Sequence, residues 1–179
     1  MKRSTAAGLL GLVLLAGGCA SHPGADAPFL VTPPEVVDQM LKLAGVGPAD
    51  VVYDLGSGDG RLVIAAARDF RARGVGVEID PKLVAQSREY ARRAGVESRV
   101  IFVEQDLFQA DLSAATVVTL YLTREVNLRL RPKLERELAP GTRVVSFNFD
   151  MGDWEPVSML RVDINGRTTP VYLWLVKPR

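Results

Sequence analysis

The chain predicts an α/β fold, doubly wound around a mostly parallel sheet and finished by an antiparallel hairpin. Three observations carry this. Strand-like and helix-like stretches alternate five times, the rhythm of crossover units in a parallel sheet. Two further β-rich runs, 157–164 and 171–176, are joined by Asn165-Gly166-Arg167, a hairpin signal. Finally, the apolar run 51–55 enters a turn with Gly56, Gly58 and Gly60 at alternate positions, and an uninterrupted helical stretch follows from Leu62.

The length of 179 residues suits one domain with a real core, and 47% hydrophobic with 24% charged residues is ordinary globular composition. The net charge of +1 becomes −1 if a leader carrying Lys2 and Arg3 is removed. No basic block stands out, so no nucleic-acid partner is expected. One cysteine excludes an internal disulfide framework and a Cys-based zinc site, and no metal is predicted. His22, the single histidine, lies outside the domain and leaves no His-centred catalysis.

Residues 1–22 read as a targeting leader: Lys2-Arg3, an apolar run over 6–16, then Ala16-Gly17-Gly18 before Cys19. The run is short for a bilayer span. Small residues before a cysteine resemble a bacterial lipobox, with Cys19 lipidated at the mature N-terminus. Leu15 stands one place early for that pattern. The alternative is an uncleaved anchor holding the domain on the cytoplasmic face. The expectation is membrane association through Cys19, on either side of the membrane, with a cytoplasmic location as the alternative. Residues 23–32 form a tether, and the folded domain spans 33–179.

Pro34 opens a helix with Val36, Val37, Met40, Leu41 and Ala44 on one face. The next strand is 51–55, and the glycine turn behind it is predicted to present unpaired helix N-terminal amides to a ligand. Counted from Gly56, the dinucleotide fingerprint wants a small residue where Arg61 stands. Carboxylates at Asp54 and Asp59 would repel a pyrophosphate and attract a ligand with a cationic amino-acid end, such as S-adenosylmethionine. The second strand, 74–79, ends in Glu78, placed to accept both ribose hydroxyls of a nucleoside; Asp80 caps the helix opened by Pro81. Leu83, Val84, Ser87, Tyr90, Ala91 and Ala94 are that helix's buried face. Strand 99–104 precedes Asp106-Leu107, and strand 116–122 carries Tyr121 at its end. Residues 124–138 place Val126, Leu130, Leu134 and Leu138 on one side, and Pro132 is expected to split the segment into a turn and a helix. Strand 142–147 leads into a loop with Asn148 and Trp154, and Trp174 reads as core.

The wording DLGSGDGR at 54–61, with Thr32-Pro33-Pro34-Glu35-Val36-Val37 upstream, resembles class I, seven-strand S-adenosylmethionine-dependent methyltransferases with a Rossmann-like fold. It is similar in particular to the small protein-lysine methyltransferases of the mitochondrial type that act on ATP synthase, and more distantly to histone-lysine methyltransferases without a SET domain. The resemblance covers roughly 29–178. It implies S-adenosyl-L-methionine as cofactor, bound by Thr32, Asp54, Gly56, Ser57, Gly58, Glu78, Asp106 and the Leu107 amide, the last two against adenine. It implies Tyr121 as the catalytic-site wall for an acceptor, with core packing as the rival reading. Absence of Asn-Pro-Pro-Tyr after the fourth strand argues against adenine or glutamine N-methylation. Asn148 or Trp154 is expected to touch substrate. The implied activity is N-methylation of lysine in a protein. The alternatives are a small-molecule methyltransferase, a non-enzymatic lipid-anchored nucleoside-binding protein on the same fold, and a nicotinamide-dependent oxidoreductase, the last disfavoured by Arg61.

Overall fold

The computed structural model describes residues 30–178. The leader, Cys19 and most of the tether lie outside the described residues. The order is α1 (Pro34–Leu43), β1 (Val51–Leu55), α2 (Arg61–Phe70), β2 (Arg73–Glu78), α3 (Pro81–Arg93), β3 (Val100–Glu104), β4 (Val117–Leu120), α4 (Arg124–Glu137), β5 (Arg143–Phe147), β6 (Ser158–Ile164) and β7 (Arg167–Leu175). These strands form one seven-stranded sheet ordered β3-β2-β1-β4-β5-β7-β6. Strands β1 to β5 are parallel, and β7 runs antiparallel to both β5 and β6. The predicted fold class is therefore the observed one. The chain winds outward from β1 to β3, then returns to β4 on the other side of β1. That reversal opens a crevice beyond the carboxyl ends of β1 and β4.

Helices cover both faces, as a twice-buried parallel sheet requires. On one face α1 and α2 bury Val36, Val37, Met40, Leu41, Leu62 and Ala66 against Val52, Val117 and Val145. On the other, α4 buries Val126, Leu130 and Leu134 against Leu55, Val118, Leu120 and Trp174. Trp174 is fully buried, as predicted. Among the described residues no helix is long and apolar enough to cross a membrane.

Three expectations need correction here. Pro132 does not split its segment: α4 runs unbroken through it. An interior proline costs about 3 kcal/mol, but burying three aliphatic side chains contributes about 1.5–3 kcal/mol each. Packing wins, and the carbonyl left without a donor belongs to Leu128, on the exposed side. The hairpin is tighter than predicted. Asn165 and Gly166 both have positive φ, 54° and 78°, so two residues make the turn and Arg167 already pairs with Ile164. Tyr90 is not part of the buried face of α3; it is 37% exposed.

Candidate active site

The glycine turn sits at the sheet's reversal. Gly60 has φ 78°, and a Cβ there would lie 2.5 Å from the Phe102 ring; one at Gly56 would lie 2.8 Å from Leu122. Ahead of the first turn of α2, four amides of the glycine turn are spent internally. Gly56 N and Ser57 N both donate to the Val77 carbonyl at 2.9 Å, and Gly60 N donates to the Ser57 carbonyl at 2.9 Å. Gly58 N donates to Glu78 Oε2 at 2.8 Å. Locking the turn onto β2 uses these donors, so what the turn offers a ligand is the close backbone approach that Gly56 and Gly58 allow, beside the side chains around it.

Glu78 is held in turn. Besides Gly58 N, its carboxylate accepts from Ile79 N at 2.9 Å and Asp80 N at 3.0 Å. Three amides fix its orientation, and a carboxylate with about four lone-pair sites retains capacity for a hydroxyl. Asp54 lies one strand away, buried, with Oδ1 accepting from the Thr119 hydroxyl at 2.8 Å. Burial pushes its pKa up to about 7, the Thr119 hydrogen bond opposes this, and the charges of Glu78 and Asp59 add to the rise. A cation entering beside Asp54 would relieve all three penalties.

Leu30, Val31, Thr32, Asp54, Gly56, Ser57, Gly58, Asp59 and Tyr121 share one cleft. It brings together Thr32, Asp54, the glycine turn and Tyr121 as the sequence predicts. The predicted tether therefore reaches into the site, since 30–32 line it. Glu78 lies directly beneath, through Gly58. Asp106 and Leu107 are not in this cleft but follow β3, whose Glu104 is in register with Glu78. Asp106 closes a local turn, its Oδ1 accepting from Phe108 N at 2.8 Å. Tyr121 stacks at a 55° tilt on Phe147, ring centroids 4.7 Å apart. Burial raises its phenol pKa, so the hydroxyl stays neutral.

Trp154 does not reach the cleft. It is buried in the core, and its carbonyl accepts from Trp174 Nε1 at 2.6 Å. Asn148 is exposed with φ 72°. Sequence reasoning missed two residues. Asn127 Nδ2 binds Ser146 Oγ at 3.1 Å and the Phe149 and Asp150 carbonyls at 3.2 and 3.3 Å, fixing the loop after β5 to α4. Arg61 grips Asp59 through Nε at 2.9 Å and Nη2 at 2.6 Å, and its Nη1 donates to the Thr32 carbonyl at 2.9 Å. A cation in the first turn of a helix, where the dipole disfavours one, was the available signal for Arg61. A wider apolar groove of about 530 Å³ between α1, α2 and α3, floored by Val37, Leu41, Ile64 and Phe70, holds neither Asp54 nor Glu78.

The ANTKMT methyltransferase domain family matches residues 54–158. A protein-lysine N-methyltransferase of Saccharolobus islandicus is 43% identical over 83% of this chain and 93% of its own length. The adenine nucleotide translocase lysine N-methyltransferase of Mus musculus is 36% identical over 75% of this chain, which spans only 58% of that protein. A crystal structure described as an RNA methyltransferase from Salinibacter ruber, with S-adenosyl-L-homocysteine bound, is 55% identical and superposes with a TM-score of 0.79, covering 84% of this chain and 95% of that one. The residues here fit such a nucleoside ligand. Ser57 lines the cleft with its buried Oγ left without a hydrogen-bond partner, and the same cleft region offers Asp54 for a cation and, through Gly58, Glu78 for hydroxyls. The chain belongs to the ANTKMT methyltransferase domain family and is an S-adenosylmethionine-dependent methyltransferase.

Proposed function

We propose that this enzyme N-methylates lysine side chains of a protein. The observation that carries the reading is the 43% identity, over nearly the whole length of both chains, with a protein-lysine N-methyltransferase. The cleft is compatible with it. Asp54 would receive the cofactor's ammonium, Glu78 its ribose hydroxyls, Asp106 and the Leu107 amide its adenine, and Thr32, Gly56, Ser57 and Gly58 its amino-acid end. The bound cofactor supplies an electrophilic methyl group on a sulfonium.

Little covalent help is needed from the protein. An ammonium has no lone pair, so the acceptor must arrive as a neutral amine. The poorly hydrated wall of Tyr121 on Phe147 disfavours the charged form and lowers the amine's pKa. Holding the nitrogen in line with the bond to be broken supplies roughly 7–11 kcal/mol of the barrier. No histidine or cysteine base is required for that route.

The test incubates the full chain and methyl-labelled cofactor with cell extract and reads label in protein and RNA separately. Label on protein that mass spectrometry places on lysine Nζ, and that Asp54→Ala abolishes, supports the proposal. An RNA acceptor is the second reading, favoured by the description of the 55%-identical structure; label in RNA alone would establish it. Label only in small molecules would reject both. For location, the order Lys2-Arg3, apolar run, small residues and Cys19 supports membrane attachment by a lipidated N-terminus. A Cys19→Ser chain that fractionates like wild type would reject lipidation.

A further inference from the structure

Arg61 ties the glycine turn to a segment that precedes α1. Each of its three guanidinium nitrogens donates once: Nε and Nη2 to the two oxygens of Asp59, and Nη1 to the Thr32 carbonyl. Thr32 is 29 residues earlier in the chain, so this bond joins two segments and not two neighbours. Arg61 and Asp59 are mostly enclosed, 31% and 12% exposed at their side chains. On its C-terminal side the segment 30–32 is anchored as well, because Pro33 and Pro34 lead directly into α1, whose Val36, Met40 and Leu41 are fully buried. Two prolines limit the directions the chain can take there. Leu30 and Val31 precede both anchors and are 53% and 50% exposed. Both line the same cleft as Asp54, Ser57 and Tyr121. Large apolar side chains left half in water at the mouth of a ligand cleft gain most when a ligand covers them.

We propose that Arg61 is a positioning residue, latching the strap Leu30–Thr32 to the glycine turn so that Leu30 and Val31 close over the bound nucleoside and govern how long it stays. Arginine suits this task and lysine does not. A lysine ammonium can meet Asp59, but it lacks the planar fork that serves two carboxylate oxygens and a carbonyl in fixed directions. The inference rests on the cleft being the cofactor site and is independent of which acceptor is methylated.

The test measures affinity and dissociation rate of S-adenosylhomocysteine with the full chain, without an acceptor. Arg61→Lys is expected to fold with nearly wild-type thermal stability, yet to release the ligand about tenfold faster, the scale of one well-made charge-assisted contact. Leu30→Ser with Val31→Ser is expected to give a similar acceleration. In the Arg61→Lys background the strap changes should add little, because the strap is already released. Arg61→Lys that holds the ligand as tightly as wild type would overturn the proposal. So would accelerations that multiply in the triple variant. Loss of binding in Asp54→Ala, with no effect in Arg61→Lys, would leave the cofactor cleft standing and reject the latch alone. No binding by the wild-type chain would reject the cleft and the latch together.

Discussion

The Thr119 hydroxyl donates to Asp54 Oδ1 at 2.8 Å, between residues in register on adjacent parallel strands where the sheet reverses its winding. Asp54 is thus both buried and hydrogen-bonded, and its pKa still rises from 3.8 to about 7, burial being the largest cause. The sign of the consequence is definite. A carboxyl whose folded pKa is raised holds its proton more tightly when folded than when unfolded. Its stability contribution is present below about pH 4 and is lost as pH rises through 7. Between pH 5 and 8 the ligand-free enzyme should therefore lose up to a few kcal/mol from this group, read as a falling melting temperature, and Asp54→Asn should flatten the fall.

The same group predicts the opposite trend for ligand binding. A cationic amino-acid end selects the charged carboxylate, so S-adenosylmethionine affinity should strengthen from pH 6 to 8. Binding near pH 7 should release a proton, measurable by calorimetry in buffers of different ionisation enthalpy. Thr119→Val removes the one hydrogen bond that opposes the rise, so it should move the midpoint of the affinity profile to higher pH. A midpoint that stays in place would mean that another group controls the titration.

Glu78 offers a sharper structural test. It accepts three backbone amides, from Gly58, Ile79 and Asp80. Glu78→Gln replaces one acceptor oxygen by a donor, so at least one amide must face an NH2. Hydrogen bonds to a charged partner contribute about 1.5–3 kcal/mol each, and an amide left unpaired costs a similar amount. The variant should lose about 2–4 kcal/mol of stability in denaturant unfolding, and nucleoside binding should weaken with it. Unchanged stability with lost binding would assign Glu78 to the ligand alone.

The parts of this design that were legible in sequence are those written in local order. Asp54, three alternating glycines and Glu78 at the next strand's end specify a cleft, because strand, turn and helix each leave a pattern within a few residues. Arg61 was read only as a departure from a dinucleotide fingerprint, although a cation in the first turn of a helix was a second signal. Its purpose depends on Thr32, which the chain brings near only through packing of α1 on α2. How the turn itself is held was not legible: the Val77 carbonyl of β2 takes the Gly56 and Ser57 amides, a contact that only the pairing of β1 with β2 brings about. Trp154 looked available to substrate because its loop follows β5, and only the fold shows its indole in the core beside Trp174.

Tyr121 separates a wall from a proton-transfer group. Its ring packs on Phe147, and its hydroxyl stays protonated at neutral pH. Tyr121→Phe keeps the apolar surface, so it should retain turnover within about threefold of wild type. Tyr121→Ala opens the wall to water and should cost roughly 10²-fold in kcat/KM by displacing the acceptor from its aligned position. Cofactor affinity should change much less than acceptor KM in both. Equal losses in the two variants would instead give the hydroxyl a direct part in the reaction.

Pro132 makes a prediction away from the site. It sits on the exposed side of α4, while Leu130 and Leu134 on either side are fully buried. The helix tolerates it because the buried face outweighs the ring's cost, so the cost is still present in the native state. Pro132→Ala restores an N–H for the Leu128 carbonyl and removes the ring's clash with the preceding turn. Part of that gain is offset because alanine leaves the unfolded chain freer. The net should be a stabilisation of about 1–2 kcal/mol, seen as a higher denaturant midpoint with an unchanged slope. Methyl transfer should be unaffected, because Pro132 is not among the residues lining the cleft. A destabilised variant would show that the proline sets a bend on which the packing of α4 against β4 and β5 depends.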